Sequence, residues 1–167
     1  KLTPMEQQFS INAVALVNGK PQQLGLKTLL QVFIDHRIEV VTRRSEFRKG
    51  KAEARLLLVD GLLKAIIDID KVIKIIRGSD DAAAAKDALI KNFKLKDEQA
   101  TYILDMPLRR LTKMSKLELD TEQKELKKTI AELTALLKSE DAIKAKVSEE
   151  VSEVGKNFGT PRRSKIV

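Results

Sequence analysis

Tyr102 is the only tyrosine of this chain, His36 its only histidine, and there is no cysteine. Those counts bound its chemistry closely. A tyrosine that attacks a phosphodiester needs a general base, phosphate-binding arginines and a metal site around it. Tyr102 instead sits in Ala100-Thr101-Tyr102-Ile103-Leu104, an apolar helical run, so it reads as a packing or interface residue. A lone histidine without a second His or a Cys makes no metal site. Asp35 beside it is expected to point the other way on a helix, which leaves His36 a packing or surface role. Asp68 and Asp70 are two apart and do not share a helix face, and Asp80-Asp81 reads as a helix start. No catalytic residue and no metal ligand set is assigned. The lack of cysteine also excludes a disulfide scaffold, and it fits a reducing cytosol.

What remains is charge. The 167 residues carry 32 Lys plus Arg against 24 Asp plus Glu, a net +8. Between Arg37 and Arg55 stand seven basic residues (37, 43, 44, 48, 49, 51, 55) and three acidic ones (39, 46, 53), a surplus of +4. Two readings fit. One is a solvated helix laced by pairs such as Glu39–Arg43 and Glu46–Lys49. The other is an electrostatic contact with duplex DNA through Arg37, Arg43, Arg44, Arg48, Lys49 and Lys51. Such a contact would go to phosphates, because no side-chain set is presented on a short helix start for reading bases.

The elements that must position these residues are helices. Charged residues make up 34% of the chain and aromatics 4%, with 7 Gly and 4 Pro, a composition that favours long helices. Apolar runs such as Leu56-Leu57-Leu58-Val59 stay far below the ~18 residues of a membrane span. The chain opens at Lys1 and has no apolar signal region, so it reads as a piece of a larger polypeptide. Thr3-Pro4 predicts a short helix over 3–9. Residues 11–17 and 21–24 flank Asn18-Gly19, the favoured two-residue hairpin turn, and predict a small β-hairpin at the edge of a sheet that other sequence completes.

Leu26 to Arg77 contains no proline and predicts one helix of 52 residues, about 78 Å long. Leu26, Leu29, Leu30, Phe33, Ile34, Ile38 and Val41 form an apolar stripe; residues 42–55 are thin in apolar side chains; 56–76 are apolar on nearly every face. Burial at both ends with a lightly supported middle follows. Gly50, in the thin middle, and Gly61 are candidate hinges in this helix, and close packing is the alternative reading of Gly61. Residues 81–92 and 97–111 predict two shorter helices, the second interrupted at Pro107. Tyr102, Leu104, Leu108, Arg109 and Leu111 are its candidate dimer-interface residues.

From Leu119, steps of four and three reach 123, 126, 130, 133, 137, 140, 144, 147, 151, 154 and 158. Nine of those twelve positions are apolar, the pattern of a coiled-coil helix over 116–158. Glu140 and Lys144 break the stripe beside Ile143, which predicts a stutter or a short gap. Gly159-Thr160-Pro161 ends the helix and Arg162-Arg163-Ser164-Lys165 forms a basic exit. The predicted fold class is mainly α: a long antiparallel coiled-coil arm, a small helical dimerisation domain and a short N-terminal β-hairpin. A knob of about 37 residues (78–114) is small for an independent core and is expected to pair with a second copy.

Four blocks carry a family resemblance in order. Gln8-Phe9-Ser10-Ile11-Asn12-Ala13-Val14-Ala15-Leu16-Val17-Asn18-Gly19 comes first, and His36-Arg37-Ile38-Glu39-Val40-Val41-Thr42-Arg43-Arg44-Ser45 second. Asp60-Gly61-Leu62-Leu63-Lys64-Ala65 and Gln99 through Leu111 follow. With these the chain resembles the A subunits of bacterial type IIA DNA topoisomerases, the family of DNA gyrase and topoisomerase IV. The resemblance implies that 1–25 end a tower domain, 26–77 and 115–159 form a coiled-coil arm, 78–114 form the dimerising exit gate or C-gate, and 160–167 lead out. It implies a homodimer through 78–114, and as further partners duplex DNA and an ATPase B subunit. It also implies a bacterial cytoplasmic, nucleoid-associated place with no membrane contact. Mg2+ and ATP are expected to enter through the partner subunit, with no cofactor on these residues. The family's nucleophilic tyrosine belongs to an Arg-Tyr motif in a preceding winged-helix domain, a motif this chain lacks, so this piece is expected to be inactive alone and to bind DNA weakly. The competing reading is a stand-alone coiled-coil interaction or DNA-binding module with no enzymatic parent. The hairpin and the ordered blocks speak against it.

Overall fold

The computed structural model describes residues 8–79, 81–107 and 115–164. Among them are two strands and six helices: β1 (Val14–Val17), β2 (Lys20–Gln23), α1 (Leu26–Ile67), α2 (Ile69–Gly78), α3 (Ala82–Phe93), α4 (Asp97–Asp105), α5 (Lys116–Lys138) and α6 (Glu140–Phe158). The protein is mainly α with a short antiparallel hairpin, as its composition predicts. The helix expected over 3–9 and the segment 108–111 lie outside the described residues, apart from Gln8 and Phe9, which are not helical.

The hairpin follows from its turn. Asn18 (φ 52°) and Gly19 (φ 77°) both take positive φ, which Asn and Gly adopt at little cost. This sets the register Val14↔Gln23 through Val17↔Lys20. Beyond the ladder, the Leu24 amide donates to the Ala13 carbonyl at 2.9 Å.

Local side-chain chemistry decides where the helices stop. The single helix expected across 26–77 is corrected at Asp68. That residue leaves helical geometry (φ −136°, ψ 63°), and its carboxylate accepts from the Lys71 amide at 3.3 Å. An aspartate can satisfy the free amides of a new first turn, so it competes with continued helix. The apolar run around Ile66 and Ile69 hid this punctuation. Asp81 caps α3 in the same way, accepting from the Ala84 amide at 2.6 Å. Helix α4 ends at Asp105, just ahead of the interruption expected at Pro107. Met106 is extended (φ −82°, ψ 131°), the conformation that a following proline imposes. The break in the heptad stripe falls at Ser139 (φ −126°, ψ 120°), whose hydroxyl accepts from the Ala142 amide at 3.3 Å.

Two compact units result, Lys1–Arg43 with Ile143–Val167, and Arg44–Ala142. In the first, Leu24, Val41, Ile143 and Val147 are buried, and Arg37 donates to Glu150 at 2.8 Å. Its apolar stripe on α1 is largely open: Leu26 is 77% exposed, Leu30 53% and Phe33 52%. Burial at that end of the helix is therefore corrected, since the hairpin opposite offers only two four-residue strands. The late heptad positions Val151, Val154 and Phe158 are exposed as well.

The second unit holds the main core. Val59, Leu62, Ala65, Val72, Leu89, Leu95, Ala100, Ile103 and Leu119 form one buried cluster, with Ile66, Phe93, Tyr102, Leu104 and Leu126 packed against it. Five of those nine buried residues lie outside 78–114. The short helices gain a core by sharing the apolar end of α1 and the start of α5, which removes the argument from small size for pairing with a second copy.

Candidate functional site

The basic stretch of α1 alternates between paired and open cations. In the first unit, the Arg37 guanidinium meets Glu150 at 2.8 Å with both side chains mostly covered (30% and 20% exposed). It is tied into the fold and has little reach outward. Arg43 lies 3.3 Å from Glu39 one turn back, with both side chains well exposed, the expected i, i+4 pair. Pairs so exposed hold weakly and release readily to another anion.

In the second unit, Lys49 pairs with Glu53 at 3.8 Å, a correction of the expected Glu46–Lys49 pair: the ammonium turns toward the carboxylate one turn ahead. Arg48 and Lys51 are exposed and Arg44 is half-buried. Gly50 sits among them on open helix surface, where an added Cβ would meet nothing within 4 Å.

Arg55 marks the end of the basic stretch and belongs to the packed part. Its Nε and one terminal nitrogen donate to the two oxygens of Glu122 at 2.6 and 3.1 Å, and its other nitrogen donates to the Tyr102 hydroxyl at 3.3 Å. This two-bond fork joins α1 to α5, and the third contact brings in α4. The Glu122 carboxylate, and secondarily the Tyr102 oxygen, hold the Arg55 pKa above its ordinary value against the opposing effect of burial. Tyr102 is half-buried against the core cluster. Its surroundings are a cation and a carboxylate already committed to each other.

Sequence reasoning did not single out Gln99, yet it is a centre of the packing. Its side chain is buried (4% exposed). Its Nε2 donates to the Leu57 carbonyl at 2.6 Å and its Oε1 accepts from the Lys96 amide at 2.8 Å. Gly61 makes room for it: a Cβ at position 61 would lie 2.8 Å from the Gln99 Cβ. Gly61 is thus a buried close approach of α1 and α4. One further bond, Gln123 Nε2 to Asp60 Oδ1 at 2.7 Å, ties α5 to α1. The sequence signal for Gln99 was a polar residue three positions after the start of an apolar helix, the place where a side chain reaches back to cap.

Of the interface candidates, Leu104 and Tyr102 pack on the core cluster. Leu108, Arg109 and Leu111 lie outside the described residues. His36 and Asp35 both border a groove of about 700 Å³ in the first unit, beside Leu16, Leu29 and Phe33. Among the described residues, no three His, Asp or Glu side chains gather as a metal site. No described helix is long and apolar enough to cross a membrane.

Comparison with known proteins agrees with the family resemblance of the sequence. Residues 1–152 match the family model for the A subunit of DNA gyrase/topoisomerase IV. The chain is 42% identical over 167 residues to the DNA gyrase A subunit of Brachyspira hyodysenteriae, covering 100% of this chain and 20% of that protein. It is 41% identical over 167 residues to the DNA gyrase A subunit of Synechocystis sp., covering all of this chain and 19% of the relative. A probable chloroplastic/mitochondrial DNA gyrase A subunit of Oryza sativa subsp. japonica is 39% identical over 164 residues, 98% of this chain and 18% of the relative. The chain thus spans about a fifth of the length of the curated relatives it matches.

Proposed function

The chain belongs to the family of DNA gyrase/topoisomerase IV A subunits, and on that premise we propose that it is the coiled-coil and exit-gate part of the breakage–reunion subunit of a type IIA DNA topoisomerase. In this reading, residues 78–114 join two subunits and part to release the duplex that has been passed through the cut one. The work is mechanical. ATP hydrolysis belongs to the B subunit, Mg2+ and the nucleophilic tyrosine belong to other parts of the machine, and the piece acts in the bacterial cytoplasm on the nucleoid.

The observation that carries this reading is the full-length match of a chain whose charge and core are segregated along one helix. Helix α1 carries exposed cations at 43, 48 and 51, and its later turns supply Val59, Leu62 and Ala65 to the core. A helix rooted in a core and basic farther back can meet a passing polyanion without presenting side chains for base readout. Closure of the gate is a binding equilibrium between two copies, so each opening costs only their association free energy. Because the second unit has a nine-residue core of its own, small size does not argue for a partner, and the dimer reading rests on family membership.

Sedimentation equilibrium at micromolar concentration tests the gate: a dimer is expected, and a monomer at all concentrations counts against it. In the intact subunit, replacing Arg43 and Arg44 by Gln should weaken duplex binding and flatten its salt dependence. Unchanged affinity and slope would retire the arm contact.

A further inference from the structure

We propose that the groove bordered by Lys64, Lys94 and Lys96 in the second unit binds phosphate oxyanions, a site separate from the basic stretch of α1. The groove, of about 430 Å³, opens between the later turns of α1, the α3–α4 connection and Gln123 of α5. Three lysines border it. Among the described residues none of them has a carboxylate within ion-pair distance, and the Lys64 ammonium donates instead to the Lys94 carbonyl at 3.3 Å. Of the carboxylates nearby, Asp97 is paired with Lys86 at 2.7 Å, while Asp60 lines the groove itself and accepts only from the neutral amide of Gln123 at 2.7 Å. Three ammonium groups against the one carboxylate of Asp60 leave the lining with a positive surplus.

The local sequence sharpens that imbalance. No acidic residue occurs from 88 to 96, while Lys91, Lys94 and Lys96 do. Lys94 takes left-handed geometry (φ 50°, ψ 46°) at the end of α3, a position that glycine or asparagine would fill with less strain. Ammonium groups are mobile point charges that suit phosphate oxygens without demanding a fixed fork. Phosphate of this kind comes from a nucleic-acid backbone or from a free di- or triphosphate, and the groove's chemistry is the same for both.

Two probes separate the sources, each used on the wild-type chain, on K64Q/K94Q/K96Q and on the charge-matched K116Q/K127Q/K138Q, whose lysines are exposed on α5. Sodium pyrophosphate is titrated by 31P NMR. A 20-base-pair duplex is followed by fluorescence anisotropy across a salt series, at ~0.9 of slope per phosphate contact. The groove variant is expected to lose the pyrophosphate shift, or to lower the log K against log salt slope by about 2–3, while the α5 control keeps both. Loss with pyrophosphate alone assigns a free phosphate; loss with the duplex assigns the backbone. Equal effects of the two triple variants, or no difference between the groove variant and wild type with either probe, would overturn it. Because the pyrophosphate arm involves no duplex, failure of the α1 contact does not carry this site down with it. Thermal melts of all three proteins confirm that they remain folded.

Discussion

The same substitution, Gly to Ala, should have opposite effects at two positions eleven residues apart on one helix. At position 50 the new methyl meets nothing within 4 Å, and the only consequence is better helix propensity, so G50A is expected to stabilise by about 1 kcal/mol. At position 61 the methyl would sit 2.8, 3.0 and 3.2 Å from the Cβ, Cγ and Cδ of Gln99. Gln99 cannot swing aside cheaply, because its amide holds the Leu57 carbonyl at 2.6 Å and the Lys96 amide at 2.8 Å. Forcing it out costs about 1–3 kcal/mol for each buried polar group left unsatisfied; keeping it costs a comparable overpacking strain. Against a propensity gain of about 1 kcal/mol, G61A is expected to destabilise by a net of about 1–3 kcal/mol. Urea denaturation followed by circular dichroism at 222 nm gives the signs directly. The midpoint should rise for G50A and fall for G61A. In a Q99A background the collision is gone, so adding G61A should be neutral or stabilising. A G61A protein as stable as wild type, or a penalty that persists without Gln99, would refute the account of Gly61 as the space that Gln99 fills.

Three further outcomes follow from the geometry. D81A removes the acceptor of the Ala84 amide and should cost about 1 kcal/mol, read as a lower urea midpoint, whereas D81N should recover most of it. R55K keeps the charge and loses the two-oxygen fork on Glu122; as both side chains are more than a third exposed, solvent screening limits the loss to about 0.5–1 kcal/mol. The folded-state pKa of Arg55 is raised by its bond to Glu122, so its contribution is present from neutral pH up to the ordinary arginine range and is lost only above it. The R55K deficit should accordingly stay constant from neutral to moderately alkaline pH, and a deficit that vanishes across that span would contradict the assignment. Y102F removes one long 3.3 Å acceptor. On the topoisomerase reading proposed above, it should leave DNA cleavage by the intact subunit unchanged, and loss of covalent DNA–protein adduct would make Tyr102 a nucleophile after all.

Much of the candidate site was readable as charge but not as geometry. The surplus between Arg37 and Arg55 is plain in the residues, and the Glu39–Arg43 pair follows from helical spacing alone. Nothing local says that Arg37 belongs to Glu150, 113 positions away, or that Arg55 belongs to Glu122 and Tyr102. Those partners lock the cation at each end of the stretch, with the exposed Arg43, Arg48 and Lys51 between them. The lysine groove was likewise unreadable, because Lys64 and Lys94 meet only after α1 and α3 have packed.

By itself the sequence determined what depends on neighbours along the chain. Asn18-Gly19 set the hairpin, Asp81 set the start of α3, Pro107 forbade helix at Met106, and the scarcity of Gly and Pro made the rest helical. Asp68 belongs with these, since its cap is a contact of three residues, although the apolar run about it masked the signal. The tertiary structure alone decided which apolar residues become core. The stripe at Leu26–Phe33 and that at Val151–Phe158 look as good as Val59–Ala65, but only the last is covered. Burial needs a second surface, and periodicity describes only one. For the same reason hinge and close packing both stayed open at Gly61 until Gln99 was set against it.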